Sequence, residues 1–456
     1  MFLEPLRGWT KEQRNAVIAS YLGWTLDAFD FFLLIFVVTD IAKEFDASVA
    51  TVSIAITLTL AFRPLGALIF GRLADRYGRK PVMMADVLLY AGFGFLTAFV
   101  PSLFALFVVR ALFGIAMGGE WGVGASLTME SIPRRSRGLV SGLLQAGYPS
   151  GLLLASAVYG LFYTHIGWRG MFMLGIAPAL LVLYIRRSVN EPPAWKSVPI
   201  GFAWRFTPAR ILIYLAAIAA ASAATTLLYP DLGWWAGVVT FGPVAAGIAF
   251  YNSPLLQRHW RLAVYAMVFM MAMNFFSHGT QDLYPTMLKV DHGLGHGIVS
   301  QINIIAAIGA IIGGLTFGSL SQVIGRRRAL ILGALLALPV IPLWAFSQDV
   351  WLLGAAGFVM QFMVQGCWGI IPAHLNELSP GEARGTFPGV VYQLGNFLAS
   401  YNATLQADMT IRYGSYGAAL ALIAGIAAIA IAALALTGQE ARDVDMEASR
   451  PHPART

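Results

Sequence analysis

Ionisable residues stand inside apolar stretches of this chain, among them Asp27, Asp30, Arg63, Arg110 and Glu120. A charge at the centre of a bilayer costs about 2.5–3.5 kcal/mol on insertion scales, so each one needs a chemical reason to be there. Asp27 and Asp30 are three residues apart and share one helical face. Two acids facing an arginine can take up and release a proton, because the like charge opposes ionisation while the guanidinium favours it. The competing reading is a static ion-pair network that holds the first part of the chain together. Arg110 heads a series of glycines (Gly114, Gly118, Gly119) and is the natural partner for Asp27. Glu120 reads either as a proton carrier or as a gate on the cytoplasmic side. Asp86, near the inner end of the third apolar stretch, reads as part of a loop latch.

A second cluster is neutral. Asn274, Ser277, His278 and Gln281 fall at i, i+3, i+4 and i+7 and lay a polar stripe along an apolar helix, with Asp282 directly after it. Such a stripe must face a wet cavity or other protein. Gln365, Trp368, Tyr392, Gln393 and Asn396 can shape the same cavity from later helices, and Gln145 and Tyr148 from earlier ones. No His/Cys/Asp cluster has metal-ligand spacing and no Gly-x-Ser-x-Gly elbow occurs, so the expectation is no metal, no cofactor and no enzyme chemistry. The one cysteine, Cys367, reads as packing.

The elements that carry these residues are set by composition. The chain is 58% hydrophobic and 12% charged, with a mean hydropathy of +0.68, so lipid must solvate most of it. Apolar runs near 16–39, 49–70, 81–100, 102–128, 138–163 and 168–186, then 210–229 and 233–251, then 262–287, 298–319, 328–347, 350–375, 385–408 and 415–437 give fourteen candidate spans. With both termini cytoplasmic, Lys43, Arg169, Lys289 and Arg412 fall in outer loops and Arg63 and Arg110 inside spans. The other 24 of the 30 basic residues are then inside. That is the asymmetry of the positive-inside rule and predicts a bacterial-type inner membrane. It also accounts for the net charge of +7 without nucleic acid, since the basic residues form no continuous stripe. Arg7, Lys11 and Arg14 precede a full-length span with no small-residue cleavage site, so no cleavable signal is expected.

A fixed offset organises the chain. Adding 247 carries Gly71, Gly78 and Arg79 onto Gly318, Gly325 and Arg326, and Trp121-Gly122 onto Trp368-Gly369. It also carries Glu130 onto Glu377, Arg137-Gly138 onto Arg384-Gly385, and Asp27 and Asp30 onto Asn274 and Ser277. An ungapped register of this length implies two copies of one membrane unit, the mark of a two-lobed transporter. The predicted domains are a cytoplasmic N-terminus (1–15), a six-helix half (16–187), a linker with an extra helical hairpin (188–258), a second six-helix half (262–437) and a tail (438–456). The linker opens at Asn190-Glu191-Pro192-Pro193 and turns at Pro230-Asp231-Leu232-Gly233. The polar tail is expected to be disordered.

The loop Gly71-Arg-Leu-Ala-Asp75-Arg76-Tyr-Gly78-Arg79-Lys80 fits G-x-x-x-D-R-x-G-R-K and resembles the signature of the major facilitator superfamily. Its glycines allow tight helix approach, and Asp75 with the basic residues can latch one face; Glu130, Arg137, Glu377 and Arg384 join this gating set. The second copy has Gln322 where the acid should be, which predicts a weaker latch. The segment from Asn274 to Thr286 fits N-x-x-[ST]-H-x-[ST]-Q-D-x-x-x-T and resembles the signature of the fungal lactate and pyruvate permeases. They belong to the sialate/monocarboxylate:proton symporter branch of those facilitators. The Asp27-x-x-Asp30-Phe face and the central insertion are similar to bacterial sialic acid transporters, and Arg63-Pro-Leu-Gly looks like the wider metabolite:proton symporters.

The resemblance, which spans about 16–437, implies an all-α polytopic membrane protein of major facilitator fold: two six-helix halves plus an inserted two-helix hairpin. It implies symport of a small monocarboxylate of the lactate or pyruvate type with protons, by alternating access. Sialic acid, or another organic acid, is the alternative. Asn274, His278, Gln281 and Asp282 would carry recognition and proton linkage by that resemblance. Arg63 or Arg110, with Asn274 and Gln281, would receive the carboxylate, and the proton would sit on Asp27, Asp30, His278 or Asp282. The expected partners are the carboxylate, protons and the lipid bilayer, and the expected oligomeric state is a monomer.

Overall fold

A computed structural model describes residues 7–192, 195, 208–228, 240, 244, 248, 254–400, 402–442 and 444–446. The described secondary structure is helical throughout, as a bilayer demands of chains that must satisfy every backbone hydrogen bond internally. In order these are α1 (Lys11–Glu44), α2 (Val49–Tyr77), α3 (Arg79–Thr97), α4 (Leu103–Ser131), α5 (Arg137–Gln145), α6 (Gly147–Leu174), α7 (Ala179–Ser188) and α8 (Pro208–Leu228). There follow α9 (Pro254–Gln281), α10 (Tyr284–Val290), α11 (His296–Ile324), α12 (Arg326–Ala337), α13 (Ile341–Phe346), α14 (Val350–Leu378), α15 (Phe387–Leu398), α16 (Asn402–Tyr413) and α17 (Tyr416–Thr437).

Several starts are written in the local sequence. Thr10 caps α1 in a reciprocal box with Gln13, and Ser48, Ser102, Asp349 and Ser415 each accept an N-terminal N–H of the helix that follows. Gly78 (φ 110°) and Gly325 (φ 103°) turn α2 into α3 and α11 into α12, in a backbone region closed to most side chains. Glycines also set how closely helices approach. A Cβ on Gly118 of α4 would sit on the carbonyl of Arg63 in α2, and one on Gly313 of α11 would sit on the carbonyl of Phe362 in α14.

Among the described residues the buried apolar side chains form two clusters drawn from residues 16–189, a large one drawn mostly from 263–435, and a small one that joins both copies to Met446. Trp24, Ala67, Leu68 and Trp121 belong to the large cluster although they lie in the first copy, and they mark the seam between copies.

The fourteen-span layout, with two six-helix halves and an inserted hairpin, is not supported. Among the described residues eight stretches are long and apolar enough to cross a membrane. Apolar run length measures transfer free energy and does not show where helix continues. The run 385–408 breaks between α15 and α16, and 168–186 is interrupted by the turn at 175–178. Arg134–Ser188 counts as one candidate stretch where two were expected. The first arm of the expected hairpin is α8, whose apolar part, Leu212–Leu227, falls in the shorter class. All of the second arm except Thr240, Val244 and Ile248 lies outside the described residues, as does the turn at 230–233.

The tail also departs from expectation. Gly438–Arg442 and Val444–Met446 fold back onto the helices, with Ala441 and Met446 buried. Met446 packs with Val17, Met129, Ile132, Val140, Leu144 and Ala373. Residues 447–456 lie outside the described residues.

Candidate functional site

Two constellations emerge, one in the middle of the bundle and one at the end where α2 turns into α3. In the middle, Asp27, Asp30 and Arg110 are fully buried, Arg63 and Glu120 nearly so. The carboxylate oxygens of Asp27, Asp30 and Glu120 have no hydrogen-bond partner, nor do the side-chain nitrogens of Arg110. The Arg110 guanidinium lies over the Phe113 ring at 4.0 Å, within electrostatic reach of both Asp30 and Asp27. Arg63 reaches Asp27 and Glu120 in the same way.

Asp86 belongs here and not to the loop latch. It is fully buried, its oxygens have no hydrogen-bond partner, and its electrostatic neighbours are Glu120 and Asp27. Sequence reasoning placed it by its nearness to the loop. Yet α3 begins at Arg79, so Asp86 is already two turns inside.

Arg63 differs from Arg110 in its surroundings. Its Nε and Nη2 have no hydrogen-bond partner, and its guanidinium stands 5.8 Å from the centre of the Trp24 ring. Rings from both copies gather beside it. Trp24 meets Tyr148 at 5.5 Å and Tyr148 meets Phe32 at 5.2 Å. Tyr392 of α15 meets Trp121 at 4.6 Å and Trp368 at 5.5 Å. Tyr148 lies within electrostatic reach of Arg63, Tyr392, Asp282 and Asp27. Trp24, Glu120 and Trp121 also border a small cavity together with Ser20 and Leu144.

The polar stripe of α9 is mostly satisfied within the protein. Gln281 donates to Gln361 Oε1 at 2.8 Å and to Ser277 Oγ at 3.3 Å, while Gln365 donates to Ser277 Oγ at 3.2 Å. His278 Nδ1 lies 3.2 Å from Asp282 Oδ1 and Nε2 lies 3.3 Å from Asn396 Oδ1. Asn274 donates to the backbone carbonyl of Met270 at 2.8 Å, so its N–H is held by its own helix. Gln393 is buried, with both amide atoms unpartnered. Gln361 was missed from sequence. Its signal is the i, i+4 spacing to Gln365 within an apolar helix.

At the other constellation the 247-residue offset becomes geometry. Arg79 donates to Glu130 at 3.0 and 3.3 Å, and Arg326 donates to Glu377 at 2.9 Å through both Nε and Nη2. Arg137 stands 3.9 Å from Glu377 and Arg384 stands 3.8 Å from Glu130, so each of these pairs crosses between copies. Asp75 accepts from Arg79 at 2.9 Å, from the backbone N–H of Gly385 at 2.8 Å and from Thr386 Oγ1 at 2.5 Å. Gln322 accepts from Arg326 at 2.7 Å and from the N–H of Gly138 at 3.1 Å. Gly71 packs directly on Gly385 and Thr386, where a side chain would not fit. Arg76 stays exposed over the Tyr77 ring and stands outside this network.

Two acids cap the helices that begin here. Glu191 accepts from the backbone N–H groups of Arg79 and Lys80, and Glu440 from those of Arg326 and Arg327 at 3.1 Å. Burial holds the Glu191 carboxyl above its ordinary range, although these N–H groups pull the other way. The tail completes the lock. Arg137 donates to the carbonyl of Val444 at 3.0 Å, Arg384 to that of Met446 at 3.2 Å, and Arg134 pairs with Asp445.

Comparison with known proteins bears on what this assembly is. The profile of the Major Facilitator Superfamily matches residues 20–281 and 265–455. The chain is 29% identical over 411 residues to a carboxylic acid transporter protein homolog of Saccharomyces cerevisiae, covering 90% of this chain and 63% of that protein's length. It is 27% identical over 440 residues to the sialic acid transporter NanX of Escherichia coli, covering 94% of this chain and 96% of that one. Among solved structures, the proton:xylose symporter XylE superposes with a TM-score of 0.64 at 18% identity, over 96% of this chain and 98% of that one. At that identity the likeness shows the fold alone, and the fold shared is the helical one described above, not a fourteen-span layout.

Proposed function

The chain belongs to the major facilitator superfamily, and we propose that within it this protein is a proton-coupled symporter of an organic monocarboxylate, working by alternating access as a carrier and not as an enzyme. One observation carries the reading. Four buried carboxyls, Asp27, Asp30, Asp86 and Glu120, have no hydrogen-bond partner and share their surroundings with two guanidiniums, Arg63 and Arg110. Two cations cannot balance four anions in a low-dielectric interior, so protons are the natural counter-charge for the remainder.

The two arginines then divide the work. Arg110, with both Asp30 and Asp27 in reach, belongs to the proton side. Arg63 presents its Nε and Nη2 edge, the edge that grips a carboxylate bidentately, and belongs to the substrate side. A proton on the acid cluster cancels the substrate's charge, so the loaded carrier crosses the membrane nearly neutral. The Asp75–Gly385, Arg137–Glu377 and Arg384–Glu130 contacts must part each time the cytoplasmic side opens. We place the carrier in the inner membrane as a monomer with both termini cytoplasmic, as the distribution of basic residues favours.

Between the substrates named by resemblance, the α9 stripe weighs against sialic acid. Its amides are engaged with one another and leave few free partners for a polyhydroxylated sugar acid. The yeast relative is named for carboxylic acids, which fits. The test is uptake of labelled carboxylates into proteoliposomes with an imposed inward proton gradient. Accumulation that collapses with a protonophore and in Asp27→Asn supports the reading; carboxylate movement indifferent to both sinks it.

A further inference from the structure

We infer that the acid carried has a planar, conjugated or aromatic body, larger and flatter than lactate; this rests on the carboxylate:proton reading above. Free hydrogen-bonding capacity lies beside the rings, with the amide of Gln393 next to Tyr392 included, and not along the polar stripe of α9. Arg63 Nε and Nη2, Trp24 Nε1 and Trp368 Nε1 are buried without a hydrogen-bond partner, whereas Ser277, Gln281, Gln365 and His278 have theirs. Buried polar groups without partners are rare in folded proteins and mark a place where something else completes them.

What surrounds Arg63 is aromatic on both sides of the seam. Trp24, Tyr148 and Phe32 form one connected run of rings, and Trp121, Tyr392 and Trp368 form another. Tyr148 and Tyr392 come from different copies and both lie within electrostatic reach of Arg63. Arg63 offsets part of the charge of Asp27 and Glu120 but still has no hydrogen-bond partner on this edge, and packing alone would leave the two indole N–H groups without a purpose.

A carboxylate gripped bidentately lies in the plane of the guanidinium. A conjugated body attached to it continues that plane and offers its faces to rings on either side, and its edge to an indole N–H. Offset and edge-to-face arrangements between such rings are favourable beyond the area they bury. Lactate has no π face to offer, and a sugar acid brings hydroxyls that would need partners the rings do not supply.

The experiment is calorimetric titration of the purified protein with benzoate, cyclohexanecarboxylate and lactate. The first two match in size and charge and differ in flatness. Benzoate is expected to bind about five-fold tighter than cyclohexanecarboxylate, and lactate more weakly than either. Tyr148→Leu should bring benzoate and cyclohexanecarboxylate together, Tyr148→Phe should keep them apart, and Arg63→Gln should weaken both. Cyclohexanecarboxylate or lactate binding as tightly as benzoate overturns this inference and leaves the carboxylate carrier standing. If no carboxylate binds the wild-type protein, the underlying reading fails with it. The wild-type comparison needs no variant to fold.

Discussion

Gln322 accepts the backbone N–H of Gly138 at 3.1 Å, the counterpart, in the opposite copy, of the bond that Asp75 accepts from Gly385 at 2.8 Å. The amide therefore keeps the backbone bond and the arginine bond of the latch, and omits its charge and the hydroxyl bond that Asp75 takes from Thr386, whose counterpart is Leu139. Arg326 still finds Glu377, so the second side is held by an ion pair and a neutral acceptor. Asp75→Asn should reproduce that arrangement on the first side. The expected outcome is a more readily opened cytoplasmic face, read as faster labelling of a cysteine placed at Thr386, with a loss of roughly 1–3 kcal/mol from the charged hydrogen bonds.

Glu130 and Glu377 are each bound bidentately by an arginine and approached by a second one from the other copy. Removing the Glu130 carboxylate leaves two buried guanidiniums, Arg79 and Arg384, with Asp75 as the acid still bonded to Arg79. Glu130→Gln should lower stability by about 3–5 kcal/mol in thermal melts. Combining it with Arg79→Met should recover part of that loss in a double-mutant cycle. Simple additivity would show that the pair does not act as a unit.

Gly118 is a second point of control, because a Cβ there falls on the carbonyl of Arg63, the residue proposed to receive the carboxylate. Gly118→Val should separate α2 from α4 and shift Arg63, costing about 1–3 kcal/mol of stability and weakening carboxylate binding. Gly160, with open space around it, is the control position, and Gly160→Val should leave binding alone.

The docked tail predicts that shortening the chain loosens the closed gate. Met446→Ala should cost about 2–5 kcal/mol if the whole side chain is lost from a packed site, measured by thermal unfolding in detergent. Met446→Asp should in addition speed exchange of substrate across the membrane. Unchanged stability and exchange in both variants would mean the segment does not hold the gate.

Coupling sets a measurable energy scale. With one proton per monoanion, each pH unit drives about a tenfold substrate gradient, equal to about 1.4 kcal/mol, and membrane voltage adds nothing. A second proton would add about 2.3 kcal/mol per 100 mV. Clamping proteoliposomes with valinomycin at fixed pH gradient distinguishes them, and Glu120→Gln or Asp86→Asn should abolish whichever gradient is observed.

Much of this was legible in the residues. The 247 offset matched Arg79 to Arg326 and Glu130 to Glu377, and equal spacing puts equal partners at equal places, although the bond within each pair was not foreseen. Intramembrane charge singled out Asp27, Asp30, Arg63, Arg110 and Glu120. What periodicity does not encode is which bond a polar group makes once buried. Asn274 looked available and donates to its own helix, while Gln361 passed unnoticed and holds Gln281. Tail composition hid its docking, because carbonyls of Val444 and Met446 do the binding and every residue has a carbonyl. Span counting failed where helices stop at turns inside apolar sequence, as at 399–400 and 175–178.

The two copies match where α2 turns into α3 and α11 into α12, and diverge at the centre. The offset places Asn274 and Ser277 opposite Asp27 and Asp30, Ala310 opposite Arg63, Gly357 opposite Arg110 and Cys367 opposite Glu120. Duplication has thus been kept in the arginine–glutamate network and abandoned among the buried central charges. On the proposed reading the first copy carries both the acids that take protons and the arginine that grips the carboxylate, and the second closes the same cavity with Trp368, Tyr392 and the amides of α9. A chimera that grafts another carrier's second copy onto this first one should inherit its energy source from one parent and much of its taste from the other.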